Sequence, residues 1–163
     1  MTAVPLVLPE TSLDRYVGGT AALNLPTGDG GTGDWHQEAT FYQPRRNLSR
    51  SFISGVGCLT DTSALLGRLG IVDCTDLVDR MKIAHKGSRV YAATHARAVA
   101  DLVLSAALRG VSPDFIDLDD FMPRPEHKSA VLGLLEMAMP KLSESVREQV
   151  LAWQIKNTEE EQS

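Results

Sequence analysis

Arg89-Val90-Tyr91-Ala92-Ala93-Thr94-His95-Ala96-Arg97-Ala98-Val99-Ala100-Asp101-Leu102-Val103-Leu104-Ser105-Ala106-Ala107-Leu108-Arg109-Gly110 decides how this chain folds. Its first five residues are a β-branched and aromatic run, which reads as a short strand. Thr94 then caps the strongest helix in the protein, His95 to Arg109, closed by Gly110. Ala98, Val99, Leu102, Val103 and Ala106 recur at helical spacing and define a buried stripe. Each large aliphatic side chain on such a face stabilises the fold by about 1.5–3 kcal/mol when fully buried. The helix is therefore scaffold, and the other elements arrange around it.

Upstream, the period changes near residue 60. Before it, short apolar runs broken by Gly and Pro predict strands over 4–8, 20–25, 35–42 and 51–56. Beyond it, Asp61 or Thr62 caps a helix through Leu69 closed by Gly70, and Cys74–Met81 forms a second with Asp73 or Thr75 near its start. Downstream of the long helix, 112–125 is an acidic, proline-bounded connection. Two helices follow. Glu126–Met139 carries Ala130, Val131, Leu134, Leu135 and Ala138 on one face, and Ser143–Asn157 carries Val146, Val150, Leu151 and Ile155. The expected fold is α+β: an N-terminal antiparallel sheet packed on helices, with a C-terminal helical layer. Residues 1–157 read as a single globular domain, β-rich over 1–60 and mainly helical over 61–157, with 158–163 as a frayed tail.

The chain has 163 residues, 43% hydrophobic and 23% charged, which fits one soluble domain with its own core. No run approaches the ~18 consecutive apolar residues of a membrane helix. The start lacks the basic region of a signal peptide and reads as a first strand. Cys58 and Cys74 are only two and form no spaced framework, so both read as buried free thiols in the cytoplasm. Charge divides unevenly: residues 1–110 carry 11 Lys/Arg against 10 Asp/Glu, and residues 111–163 carry 5 against 11. An acidic second half suits a protein partner with a basic surface, and it disfavours nucleic acid, whose binders carry a basic stripe.

One segment is rich in reactive groups. Gly28-Asp29-Gly30-Gly31-Thr32-Gly33-Asp34-Trp35-His36-Gln37-Glu38 packs four glycines into six positions ahead of an acid, Trp, His and a second acid. So much glycine is costly unless the backbone bends sharply or approaches something closely. On a strand, Asp34, His36 and Glu38 share one face. That row suits a proton-transfer pair or a basic partner; equally, it is a solvated face beside a turn. Metal chemistry lacks support: His36-x-Glu38 has no closely spaced cysteine pair to complete a zinc deaminase site, so no metal and no cofactor is expected. The glycine run lacks the Lys-Ser/Thr of a phosphate-binding loop, and no helix follows it as the dinucleotide fingerprint requires.

Two basic patches complete the candidates. Arg45, Arg46 and Arg50 follow the aromatics Phe41 and Tyr42. Arg80, Lys82, His85, Lys86 and Arg89 lead to His95 and Arg97 at the start of the long helix, where cations are locally unfavourable and invite an anion or acidic partner. The plainer alternative is a bond from Arg97 to a carboxylate such as Asp101. The strip Asp114-Phe115-Ile116-Asp117-Leu118-Asp119-Asp120-Phe121-Met122 alternates acids with large apolar residues. It reads as a linker anchored to the core or, more sharply, as a docking strip for a basic partner.

The stretches 18–24, Thr32-Gly33-Asp34-Trp35-His36, 70–75 and 90–98 together resemble an uncharacterised family of small bacterial proteins that neighbour nucleotidyltransferase-type toxins. The resemblance spans about residues 18–155 and implies an antitoxin or accessory role; it carries no site residues over. Two functions are therefore expected. The first is an intracellular protein-interaction module with Trp35, Arg45, Arg46, Arg50 and His95 as binding residues. The second is a small enzyme acting on a nucleotide or phosphorylated substrate, with His36 as general base, Asp34 or Glu38 orienting it, and Arg97 among the phosphate-clamping arginines.

Overall fold

A strand that ends in a capping threonine and runs into a helix organises the molecule, as the sequence predicts. The structure, a computed structural model, describes residues 7–23, 25, 53–122 and 124–159. The strand is Tyr91–Ala93 and the helix His95–Leu108, with the Thr94 side chain accepting from the Arg97 backbone N–H at 3.2 Å. Gly110 follows the helix in the left-handed region at φ +74°.

In chain order the strands are β1 (Val7–Leu8), β2 (Arg15–Val17), β3 (Ile53–Gly55), β4 (Ile71–Asp73), β5 (Ala84–His85) and β6 (Tyr91–Ala93). The helices are α1 (Gly19–Leu23), α2 (Ser63–Leu66), α3 (Thr75–Arg80), α4 (His95–Leu108), α5 (Leu118–Phe121), α6 (Pro125–Ala138) and α7 (Glu144–Glu159). The fold is α+β with its C-terminal helices layered together, as expected. The main sheet, ordered β3-β2-β6-β4, is mixed: β2 pairs antiparallel with β3 and parallel with β6, and β6 pairs antiparallel with β4. A parallel two-stranded ribbon, β1 with β5, stands apart from it.

Period-two alternation splits the core across this sheet. Tyr16, Ile71 and Ala93 face a larger cluster built on α4, α6 and α7. Val17 and Ala92 face a smaller one with Leu8, Ala21, Leu25, Val78, Ile83 and Val90. Helix α4 runs through the middle, packed against α1, α6 and α7. It is buried well beyond the expected stripe, its polar Arg97, Asp101 and Ser105 included.

Several expectations are corrected. Of the strand expected over 20–25, residues 20–23 are helical instead; Gly19 turns at φ +57° just after β2 and the chain enters helix α1. Ala21, Ala22 and Leu23 are compatible with that turn and bury themselves in both clusters. Helix α2 is shorter than expected, because Gly67 at φ +57° closes it before Gly70. In α6, Ala130 is exposed and Lys128 is buried instead, paired with Asp119. In α7, Leu151 and Ile155 point outward while Val150 and Trp153 are buried. The strands β2, β4 and β5 are additions of two or three residues each. The segment 35–42 lies outside the described residues, as does 4–6 of the expected first strand.

Candidate functional site

The glycine-rich segment Gly28–Glu38, with Asp34, Trp35, His36 and Glu38, lies outside the described residues, and so do Arg45, Arg46 and Arg50. His95 and Arg97 are described, and the structure separates them.

Arg97 points inward. Its Nε donates to Asp101 Oδ1 at 2.8 Å, one helical turn on, and both side chains are 0% exposed. Three of the remaining four N–H donors reach Thr62 Oγ1 (3.0 Å), the Tyr16 hydroxyl (3.2 Å) and the Leu69 carbonyl. Asp101 also accepts from the Tyr16 hydroxyl (2.5 Å) and from Thr62 (2.6 Å). The Arg97 guanidinium stacks 5.5 Å from the Tyr16 ring centre, a cation–π contact. Burial first, then the neighbouring Asp101 charge, pushes the Tyr16 phenol well above its ordinary value, so it stays a donor. This network joins β2, α2 and α4 through a buried ion pair in which every side-chain nitrogen and oxygen has a partner, the arrangement that makes a buried charge tolerable. The plainer expectation, a bond from Arg97 to Asp101, is the one observed.

His95 lies beside a cleft of about 750 Å³. The cleft opens past the carboxyl end of β6, between the starts of α3 and α4, and α6 closes its far side. The His95 ring is buried, and its Nε2 faces the Leu25 carbonyl at 2.7 Å, so that nitrogen carries the proton. Leu25 is also part of the wall. Of the second basic patch, Arg80 and Arg89 reach the cleft as well. Residues remote in sequence, Met122 and Ala130, complete it; no local spacing announces them.

The rim is organised by Asp73. Its Oδ1 accepts from the Thr75 backbone N–H (3.0 Å) and hydroxyl (2.5 Å), and its Oδ2 from Arg89 (2.6 Å). These bonds, the Thr75 hydroxyl foremost, hold its pKa down to about 2. Thr75 in turn accepts from the Val90 backbone N–H at 2.9 Å, tying α3 to the residue before β6. Cys74 lines the same wall, but burial, then the adjacent Asp73, pushes its thiol up to about 12. A thiol that stays protonated is a poor nucleophile. Both cysteines are free and half-buried rather than fully enclosed.

His85 is occupied elsewhere. Its Nδ1 faces the Gly87 carbonyl (2.7 Å) and its Nε2 faces Asp79 Oδ1 (2.8 Å). Both partners only accept, so the geometry favours the doubly protonated ring. The Asp79 hydrogen bond is the main cause of its raised pKa.

The acidic strip divides as well. Ile116, Leu118, Phe121 and Met122 are buried and anchor the connection. Trp153 Nε1 donates to the Ile116 carbonyl (2.9 Å), and Asn157 accepts from the Leu118 backbone N–H (2.9 Å). Phe115 is left out, 63% exposed. Among the described residues, no three His, Cys, Asp or Glu side chains group to hold a metal, and no helix is long and apolar enough to cross a membrane. Comparison with family models, curated proteins and solved structures finds no match.

Proposed function

We propose that this chain is a bacterial protein-interaction module, the antitoxin or accessory member of a two-protein system, working in the cytoplasm. The observation that carries the reading is the two-sided character of α7. Val150 and Trp153 face the core, while Leu151 and Ile155 stand on the opposite side, 42% and 53% exposed. They are four residues apart and so lie one above the other, on a ridge that continues through the exposed Glu144 and Glu148. A helix that only covers a core has a polar outer face. Phe115 and the exposed acids Asp114, Asp117, Asp119 and Asp120 belong to the same acidic half of the chain. Apolar anchors within an acidic surround suit a partner whose surface is basic, with the charges guiding encounter and register. Two free thiols agree with a reducing compartment.

The test uses the product of the neighbouring gene. Mixed at micromolar concentration, the two proteins co-elute, and Leu151→Asp/Ile155→Asp abolishes the complex while the variant's unfolding temperature stays near that of the parent. Co-elution untouched by the double substitution removes α7 from the interface, and no complex at all removes the reading. The second reading, an enzyme acting on a nucleotide or phosphorylated substrate, draws its support from the cleft beside His95. In that case His36→Ala abolishes turnover in a folded protein and leaves partner binding intact.

A further inference from the structure

The cleft beyond β6 is separate from the α7 ridge, and its chemistry is specific enough to name a ligand class. We propose that it binds a small organic anion: an apolar, ring-sized body carrying a single carboxylate or phosphomonoester head. Its volume, about 750 Å³, is that of sites for ligands of this size. It lies where the neighbouring parallel strands β2 and β6 each pass directly into a helix, α1 and α4. Crevices outside the carboxyl ends of parallel strands are habitual ligand sites, because the chain departs from the sheet there. Ala22, Leu25, Ala92, Ala93, Met122 and Ala130 give the wall its aliphatic part, suited to the flat face of a ring.

The polar lining has an excess of donors. Asp73 already accepts three hydrogen bonds, two from Thr75 and one from Arg89. Arg89 gives one N–H to it, from Nη1, out of the five that a guanidinium carries. The Arg80 side chain makes no ion pair or hydrogen bond among the described residues. Asp76, one turn before Arg80 on α3, brings the formal charge of the lining to zero, two arginines against two aspartates, so it is the surplus of N–H donors rather than net charge that favours an acceptor-rich head. A ligand rich in acceptors satisfies those donors, and the two carboxylates oppose a polyphosphate, so the head bears a single anionic group.

Isothermal titration of the full chain tests this with four probes: 1-naphthoate, 1-naphthyl phosphate, neutral 1-naphthalenemethanol and inorganic phosphate. At least one naphthyl anion is expected to saturate a single site with Kd at or below about 1 mM, and the neutral ring and the bare phosphate to bind at least about tenfold more weakly. The tighter of the two anions identifies the head group; either result supports the site. Arg80→Glu is expected to weaken the anions about tenfold, and Ala130→Phe, which fills the cleft, to weaken every ring-bearing probe by at least as much. Both positions are exposed, so both variants should fold, which thermal unfolding checks. On the parent chain, amide shifts on adding the tighter anion should centre on Thr75, His95 and Ala96. The proposal is overturned if neither anion saturates, if the neutral ring binds as tightly, or if both variants bind like the parent.

Discussion

Asp101 takes three side-chain hydrogen bonds at zero exposure, from Arg97, Tyr16 and Thr62, and so fixes where β2, α2 and α4 meet. Replacing it with alanine leaves the Arg97 charge buried without a counter-ion, which costs about 3–5 kcal/mol. Urea unfolding of Asp101→Ala should show that loss, and Arg97→Met/Asp101→Leu should recover much of it. A double variant as unstable as the single would show that the hydroxyl bonds, not the charge, dominate. His85 makes a smaller, pH-dependent contribution. Its folded pKa lies above the ordinary 6.5, chiefly through the Asp79 hydrogen bond. The stabilisation is therefore fully present below 6.5 and disappears as pH rises through the folded value. Asp79 is exposed, so the effect is at most about 1 kcal/mol. The stability gap between the parent and Asp79→Asn should be widest in mild acid and narrow as pH rises above 6.5; a gap that widens with pH contradicts a protonated His85.

At the scale of elements, the end of α3 shows a local rule broken and compensated. The Ile83 backbone N–H reaches the Val78 carbonyl (3.1 Å) and the Lys82 N–H the Asp79 carbonyl (3.0 Å), the paired bonds of a Schellman C-cap. Lys82 occupies the position that favours glycine, at φ +60°, while Val78 and Ile83 bury their side chains together below it. Left-handed backbone penalises a Cβ, and glycine's extra freedom in the unfolded chain returns part of that gain. Lys82→Gly should therefore stabilise by about 0.5–1 kcal/mol, read as a rise in unfolding midpoint. Gly70 behaves oppositely. At φ +73° it accepts the Thr94 N–H at 2.7 Å, and an added Cβ would stand 2.8 Å from Arg97 Cβ. Gly70→Ala should destabilise by more than about 1 kcal/mol and disturb the α4 cap.

Across the whole molecule, what the sequence shows depends on how far apart the interacting residues lie. The long helix α4, with Thr94 before it and Gly110 after it, is legible because capping and periodicity are local. So is the Arg97–Asp101 pair, one turn apart. Strands of two or three residues, such as β2 and β4, leave no period to detect, and pairing across dozens of residues alone defines them. Residues 20–25 read as a strand from their short apolar run, and packing of Ala22 and Leu23 against α4 selects a helix there instead. In α7, Trp153, Val150 and the pair Leu151 and Ile155 give apolar groups on both sides, so composition cannot tell core from surface. The cleft was invisible for a related reason: Arg80, Arg89, His95 and Met122 come from separate elements. Only His95 and the basic patch pointed toward it.

The outward ridge of α7 and Phe115 are the surfaces on which the interaction reading depends. Hydrogen exchange of the chain with and without the neighbouring gene's product tests it most directly. The account predicts slowed exchange on complex formation over 111–122 and 144–159, with the β1–β5 ribbon unchanged. Protection confined to the ribbon or the main sheet, with α7 exchanging as in the free protein, would contradict it.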